Sequence, residues 1–178
     1  YAGAMAAGLV SMVARLTIDK KGYQDQEKAM KNILEESELL RGELEEAVDL
    51  DAQAFNQVMD AYRMPKSDAN RKDAIQEATL KAALVPLEVA EKSLRVMGLG
   101  LEVARSGNLN AISDAASAVN LAIASLNSAS YNVRINLLSL DDRKKSNRMK
   151  QAIEEIENQT LKSSDAIKDI LKDRGGLF

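Results

Sequence analysis

The stretch that decides the fold runs from Gly107 to Leu140 and reads GNLNAISDAASAVNLAIASLNSASYNVRINLLSL. Its small and apolar residues leave no broad charged face, and a helix that is apolar almost all round is buried in a bundle or a membrane. Polar residues interrupt the run too often for a membrane span, which argues against a membrane partner; they are Asp114, Asn120, Asn127, Asn132, Arg134 and Asn136. The stretch therefore predicts a buried central helix, and its polar side chains are the first candidates for function, because a buried polar group needs a partner.

The composition places the whole chain, residues 1–178, in one all-α domain. It is 46% hydrophobic but only 3% aromatic, with two Pro and no Trp, which is typical of long packed helices rather than of sheets. One domain of 178 residues is large enough to bury a substantial core. The net charge of -3 gives no reason to expect a nucleic-acid partner.

The chain contains neither Cys nor His. This excludes disulfides, thiolate nucleophiles, Ser-His-Asp catalysis and the usual Cys- or His-ligated metal sites. Proton transfer must then come from carboxylates, Lys, Tyr or bound water. A chain without Cys is also compatible with a cytoplasmic location, which is our expectation.

Apolar periodicity and capping signals predict a bundle of about five long, roughly antiparallel helices, the fourth of them central and buried. The predicted ranges are 1–18, 25–63, 68–105, 108–138 and a last helix after Asp142. Pro65 ends the second helix. Pro86 falls in the middle of the third, where we expect a kink that either bends the helix around the core or opens a pocket.

Asp51 lies in the apolar seam of the second helix, between Val48 and Phe55, where the pattern calls for a leucine. A carboxylate buried there would be a candidate for catalysis or ligand binding. The alternative is that Asp51 is rotated toward solvent or ion-paired inside the bundle. The sequence leaves the two interpretations about equally favoured.

Three groups of residues have the composition of a functional site. The first is Asp51, Phe55, Tyr62 and Lys66 on the second helix and the turn after it; the second is Asn110, Ser113 and Asp114 at the start of the fourth helix; the third is Asn132, Arg134 and Asn136 near its end. In the second group the helix dipole favours an anionic side chain or ligand, although Asn110 as a cap is the plain alternative. Asp114 and Asn132 are five turns apart, about 27 Å along the axis. Either the third group is structural, or the ligand is elongated, or a second subunit brings the two ends together.

The sequence resembles the formiminotetrahydrofolate cyclodeaminase and methenyltetrahydrofolate cyclohydrolase family over nearly its whole length. No single motif is specific, but four occur in the family's order and spacing. They are Leu16-Thr17 with Lys21 and Tyr23; Asp51, Ala54-Phe55, Val58, Tyr62 and Pro65-Lys66; Gly107-Asn108, Ala111 and Ser113-Asp114-Ala115; and Asn132-Val133-Arg134-Ile135-Asn136.

The resemblance implies an all-helical homodimer that acts on a one-carbon unit carried by tetrahydrofolate, either free-standing or fused to or associated with a formiminotransferase. Family members carry a Gly-rich loop just before the helix that begins here at Tyr1, and this sequence lacks it. We expect residues that belong ahead of Tyr1 to be missing from the sequence.

The family's chemistry suits a protein without His, because a carboxylate whose pKa is raised by an apolar wall can move the protons. Asp114 and Asp51 are the catalytic candidates. Lys66 is placed to hold a folate carboxylate, and Phe55 or Tyr62 to pack on a flat ring. Asn110, Ser113, Asn132, Arg134 and Asn136 complete the predicted substrate-binding set. The reaction calls for no metal and no nicotinamide cofactor.

The leading hypothesis is a formiminotetrahydrofolate cyclodeaminase that releases ammonia and forms 5,10-methenyltetrahydrofolate. The alternative within the family is a methenyltetrahydrofolate cyclohydrolase that forms 10-formyltetrahydrofolate, and the sequence does not separate the two. The alternative from another class is a non-catalytic helical scaffold or dimerisation module whose polar core residues only fix the register of the helices.

Overall fold

A computed structural model describes residues 1–177 of the chain, and within them the structure is helical, with short turns between the helices. The five helices are α1 (Ala2–Arg15), α2 (Glu27–Arg63), α3 (Arg71–Ser106), α4 (Ile112–Leu137) and α5 (Arg143–Asp173). Single 3-10 turns precede α2 and α4, at Gln24–Gln26 and Leu109–Ala111. The predicted all-α bundle of five long helices is confirmed.

Helix α4 occupies the centre of the bundle and contacts α1, α3 and α5. Its buried face consists of Ala, Val, Ile and Leu with one serine, Ser130. The segment Leu109–Leu137 is long and apolar enough to cross a membrane by length and composition, but half of its most apolar window is buried inside the bundle. A core helix passes the same test, so the segment is explained by its place in the bundle.

The start of α4 is fixed by hydrogen bonds to α1 and to the turn after α1. The side chain of Asn108 accepts from the backbone N–H of Asn110 and donates to the carbonyl of Leu16. The hydroxyl of Thr17 accepts from the N–H of Asn108, and the hydroxyl of Tyr23 accepts from that of Leu109. The cap is therefore Asn108, and not Asn110.

Helix α2 packs through a regular seam of positions three and four residues apart, which is typical of helices packed at a shallow angle. The buried members are Met30, Ile33, Ser37, Leu40, Leu44, Ala47, Ala54 and Ala61. Asp51 keeps the register of this seam but is exposed, so of the two interpretations that the sequence left open, the one in which Asp51 turns toward solvent is observed. The physical reason is that the seam borders a cavity at this level, so Asp51 faces open space.

Helix α3 runs through Pro86 without a break in its helical assignment. Because proline has no N–H, the carbonyl of Ala82 loses its usual partner four residues on. The side-chain amide of Asn136 on α4 donates to that carbonyl at 2.9 Å. Asn136 therefore satisfies the backbone group that Pro86 leaves free.

Candidate active site

A cavity of about 350 Å³ lies where α1, α2, α3 and α4 meet. This is at the lower end of the range of small-molecule pockets. It is lined by Tyr1, Ala2, Gly3, Ala4, Leu44, Ala47, Val48, Asp51, Val85, Pro86, Val89, Ser125, Ser128, Ala129 and Asn132. Pro86 forms part of the wall, so a pocket, one of the two alternatives that the sequence offered at this proline, lies beside it.

The cavity wall is mostly apolar, and its polar side chains come from two helices. Asp51 on α2 is the one carboxylate among the lining residues, and no Lys or Arg side chain lines the cavity in the described part of the chain. Ser125, Ser128 and Asn132 project from a single face of α4. The first turn of α1 closes a further side, and the backbone N–H groups of a first turn have no partner within their own helix.

The two serines on the cavity wall differ in how their hydroxyls are used. Ser128 donates to the carbonyl of Ala124 in its own helix, at 2.9 Å. Ser125 accepts a hydrogen bond from the fully buried Ser93 of α3, also at 2.9 Å. Ser125 is therefore held from behind by a neighbouring helix.

Two of the predicted site residues line the cavity, Asp51 and Asn132. The sequence analysis placed them in different groups, and the structure brings them together. The side-chain amide of Asn132 makes only a long contact, 3.4 Å, with the carbonyl of Ser128. Most of its hydrogen-bonding capacity therefore remains for a ligand in the cavity.

The first group also contains Phe55, Tyr62 and Lys66. These residues lie beyond the cavity, where α2 and α3 pack against each other. All three side chains are exposed, and Phe55 is 61% exposed. The ring of Tyr62 is covered on one face by the guanidinium of Arg71, 5.9 Å from its centre. These three residues do not form the cavity wall, and they lie on an exposed surface beyond it.

The second group, Asn110, Ser113 and Asp114, lies at the opposite end of α4 from the cavity. Asn110 and Ser113 are exposed, and Asp114 is half-buried in the first turn of α4. Asp114, one of the two predicted catalytic carboxylates, does not lie beside the other, because Asp51 meets α4 at Ser125–Asn132, several turns further along. Within one subunit the two carboxylates do not share a reacting centre.

Arg134 and Asn136 of the third group face neighbouring helices instead of the cavity. Arg134 forms an ion pair with Glu157 of α5 at 2.9 Å. Asn136 donates to Ala82 of α3, as described above, and to the carbonyl of Asn132. Both side chains are used in packing α4 against its neighbours.

Several lining residues escaped the sequence analysis, above all Gly3, Ser125 and Ser128. A signal for the serines existed, because positions 125, 128, 129 and 132 follow the helical spacing that puts residues on one face. Serine is common on helices and suggests no chemistry by itself, so the face was not recognised.

These features define a helical-bundle protein with a small, largely apolar ligand cavity that contains one carboxylate. Residues 1–155 match the family model described as Formiminotransferase-cyclodeaminase. A methenyltetrahydrofolate cyclohydrolase of Methylorubrum extorquens is 48% identical over 145 residues, which are 79% of this chain and 70% of that protein. The mouse formimidoyltransferase-cyclodeaminase is 30% identical over 143 residues, 78% of this chain, which spans only 26% of the mouse protein.

The crystal structure of formiminotetrahydrofolate cyclodeaminase from Thermotoga maritima superimposes with a TM-score of 0.90 at 33% sequence identity, covering 99% of this chain and 85% of that one. The chain therefore belongs to the formiminotransferase-cyclodeaminase family. The resemblance predicted from the four short motifs is confirmed.

Proposed function

We propose that this protein is an enzyme that acts on the one-carbon unit bridging N5 and N10 of tetrahydrofolate. The observation that supports it is Asp51, a carboxylate at the opening of a small, mostly apolar cavity in a chain without His. The relatives support the same substrate class, because they are named as cyclohydrolases and cyclodeaminases of folate derivatives.

The two candidate reactions share one compound, because 5,10-methenyltetrahydrofolate is the substrate of a cyclohydrolase and the product of a cyclodeaminase. In the cyclohydrolase direction, water attacks the methenyl carbon and loses one proton, which leaves a hydroxyl on a tetrahedral carbon. The bond from that carbon to N5 then breaks as the hydroxyl proton is passed to N5, and neutral 10-formyltetrahydrofolate results, with net release of one proton. In the cyclodeaminase direction, N10 attacks the formimino carbon on N5 and loses its proton, and the formimino nitrogen gains protons and leaves as ammonia. Each reaction passes through a tetrahedral carbon and needs one group to accept and return a proton.

Asp51 is our proposed proton-transfer group in either reaction. The apolar side chains that share the wall, Val48, Val85 and Val89, limit the water around the reacting carbon. Asn132, on the α4 face of the same cavity, supplies an amide that can donate to the nitrogen or oxygen on that carbon. General acid–base catalysis of this kind contributes about 10²–10⁴-fold to a rate.

A specific observation supports each reaction. The match over the whole fold to the Thermotoga enzyme, at 33% identity, supports the cyclodeaminase reaction. The 48% identity to the Methylorubrum enzyme, over 70% of that protein, supports the cyclohydrolase reaction. Because the identity to the Methylorubrum enzyme is higher, we rank the cyclohydrolase first, whereas the sequence alone put the cyclodeaminase first. An assay with both substrates decides between the two reactions.

The assay follows the methenyl chromophore with purified protein. A cyclohydrolase consumes the chromophore of added 5,10-methenyltetrahydrofolate faster than buffer does, whereas a cyclodeaminase generates it from 5-formiminotetrahydrofolate with release of ammonia. Asp51→Asn is the control for a contaminating activity. No enzyme-dependent change with either substrate, at protein concentrations in the micromolar range, would contradict the proposed function and favour the scaffold hypothesis.

The folate is larger than the cavity, so part of it must lie outside. The exposed face of α2 that carries Phe55 begins one turn beyond Asp51 and offers a ring on which a flat group can pack. Tyr62 and Lys66 lie further along in the same direction. We keep the prediction that this surface holds the outer part of the substrate, with Lys66 near a carboxylate.

We also propose that the protein is a homodimer and that α4 forms part of the interface. The exposed positions of α4 make a stripe along its whole length, spaced three or four residues apart, that contains no charged residue although 29% of the chain is charged. The stripe consists of Ser113, Ser117, Asn120, Ala124, Asn127, Tyr131 and Ile135, and it continues to Leu138. Tyr131, Ile135 and Leu138 are 69%, 60% and 77% exposed and follow one another along the stripe, and exposed apolar side chains grouped in this way mark an interaction surface.

A second copy suits this stripe because a two-fold axis lets one surface pair with itself. Asn132 and Ser128 adjoin the stripe and also line the cavity, so a partner packed there would border the cavity opening.

Light scattering after size exclusion tests the proposal with Ala124→Arg, an exposed position whose change leaves the subunit core intact. We expect a dimer that becomes a monomer, whereas Leu161→Arg on the charged outer face of α5 leaves the mass unchanged. A wild-type monomer would contradict the proposal.

The reaction proposed needs no metal or nicotinamide, because the methenyl carbon is already electrophilic and no hydride is transferred. Activity that survives dialysis against a chelator is the expected result.

A formiminotransferase domain or protein is a further partner that we propose, since the mouse relative is named for both activities. A cytoplasmic location remains a prediction, to be tested by cell fractionation.

A further inference from the structure

Ser93 and Ser125 form a hydrogen-bonded pair at the cavity wall that helix packing alone does not explain. A serine inside a helix usually donates to the carbonyl four residues back, as Ser128 does to Ala124. Ser93, which has no exposed surface, instead donates across the α3–α4 interface to Ser125. The oxygen of Ser125 is therefore occupied as an acceptor, and its own O–H remains available as a donor on the cavity wall.

The backbone of α1 leaves room for this pair at one position, Gly3. A Cβ atom on Gly3 would lie 2.9 Å from Oγ of Ser125 and 3.1 Å from Oγ of Ser93. The first of these is closer than real Cβ contacts allow, so any larger residue would displace the pair. Three helices thus meet around two hydroxyls, with the smallest residue placed against them.

We propose that Ser125 binds the substrate directly, by donating a hydrogen bond to an uncharged acceptor of the folate in the cavity, and that Ser93 is the positioning residue that orients it. The proposal rests on the proposed function, because it assumes that the cavity holds a folate. The absence of Lys and Arg from the described cavity wall fits a neutral acceptor, such as a ring carbonyl or ring nitrogen, rather than a carboxylate.

The test compares Ser125→Ala with Ser128→Ala. Both serines lie on the α4 face of the same cavity, but the hydroxyl of Ser128 is already bonded within its own helix. The dissociation constant for 5-formyltetrahydrofolate, measured by calorimetry, gives binding without reaction. Loss of one neutral hydrogen bond predicts a rise of about 5-fold for Ser125→Ala and no change for Ser128→Ala. Melting temperatures show that each variant is folded.

The role of Ser93 is tested by a double-mutant cycle with the same ligand. Ser93→Ala frees the rotation of Ser125 and should weaken binding by about 2-fold to 3-fold. In the Ser93→Ala, Ser125→Ala double variant it should add nothing to the effect of Ser125→Ala, because Ser93 acts only through Ser125. A merely structural Ser93 would lower the melting temperature without this dependence.

The outcomes distinguish an error in the role of Ser125 from an error in the proposed function. If wild-type protein binds the folate and Ser125→Ala binds it equally well, the role of Ser125 is wrong and the proposed function stands. Equal losses for Ser125→Ala and Ser128→Ala, or fully additive losses for Ser93→Ala and Ser125→Ala, also overturn the assignment. If wild-type protein neither binds nor converts the folate, the proposed function fails and the role of Ser125 fails with it.

Discussion

At the beginning of α4, polar side chains are occupied in holding the backbone together, whereas near its other end they surround open space. Asn108, Thr17 and Tyr23 each bond to a backbone group where the chain enters α4. The side chain of Arg174, just after α5, donates at the same end to the carbonyl of Ala104 in the last turn of α3 and to that of Gly107, which follows α3. Around Ser125 and Asn132, by contrast, the hydroxyl and amide groups border a cavity that also contains Asp51.

The difference shows that residue type alone does not distinguish the polar cluster that holds the backbone from the one that borders the cavity. Asn, Ser and a carboxylate occur at both ends of α4, and the helix dipole makes the N-terminal Asp114 attractive from sequence alone. What separates the ends is whether the polar groups have donors and acceptors left after the fold has formed. The predictions below test that contrast, in order of expected effect.

Asp51→Asn should lower turnover by about 10²-fold, since an amide cannot exchange the proton that a carboxylate carries. Its stability should change little, because the side chain is exposed and forms no ion pair among the described contacts. Asp114→Asn, at the other end of α4, should keep wild-type turnover within about 3-fold. Steady-state rates with the methenyl or formimino substrate measure both. A large loss in Asp114→Asn would break the contrast and point to a partner subunit that brings the two ends together.

Arg174→Met should lower the free energy of unfolding by about 2 kcal/mol, because two hydrogen bonds from a charged group to the end of α3 are lost. The turnover of the folded protein should not change. Urea denaturation gives the stability, and Lys172→Met, an exposed neighbour at the end of α5, is the control. If turnover fell with Arg174→Met in a fully folded sample, this end of α4 would have a functional role that the structure does not indicate.

Gly3→Ala should destabilise the protein by about 1–2 kcal/mol and weaken folate binding, since the added Cβ displaces Ser125. Helix propensity alone predicts the opposite sign, a gain of up to about 1 kcal/mol. Gly8→Ala in the same helix should show that gain, because its Cβ would meet only Cδ of Arg41 at an ordinary 3.6 Å. Thermal and urea unfolding of the two variants, side by side, decide between packing and propensity.

Asn136→Leu should cost about 1 kcal/mol, because it leaves the carbonyl of Ala82 without a donor. In a Pro86→Ala background the cost should fall, since the backbone N–H of residue 86 can then bond to that carbonyl within α3. The coupling between the two substitutions is the measurement. Additive effects would mean that Asn136 does not act through the carbonyl that Pro86 frees.

Much of the fold could be predicted because it follows from local rules. Apolar periodicity gave five helices close to those observed, and Pro65 lies in the break between α2 and α3 as expected. Helix ends were less accurate. The second helix was predicted to begin at Asp25, which lies in a 3-10 turn before α2. The third was predicted to begin at Asp68, whose side chain instead accepts from the N–H of Asn70 in the turn before α3.

The candidate site could be predicted only in part. Asp51 was identified because a carboxylate in an apolar seam is conspicuous, and Asn132 because it belongs to a motif of the family. Ser93 and Ser125 were not, because their importance lies in a hydrogen bond between two helices whose rotation no local pattern fixes. Whether Asp51 is catalytic remains a prediction.

The sequence by itself determined the helices, the central place of α4 and the family, because periodicity, capping and motif order are properties of the chain read along its length. Only the tertiary structure decided which polar residues share a space. Asp51 and Asn132 are 81 positions apart and line one cavity, whereas Asp114 lies on the same helix as Asn132 and outside it. The reason is that a helix several turns long separates its own ends by tens of ångströms, while packing brings distant segments side by side.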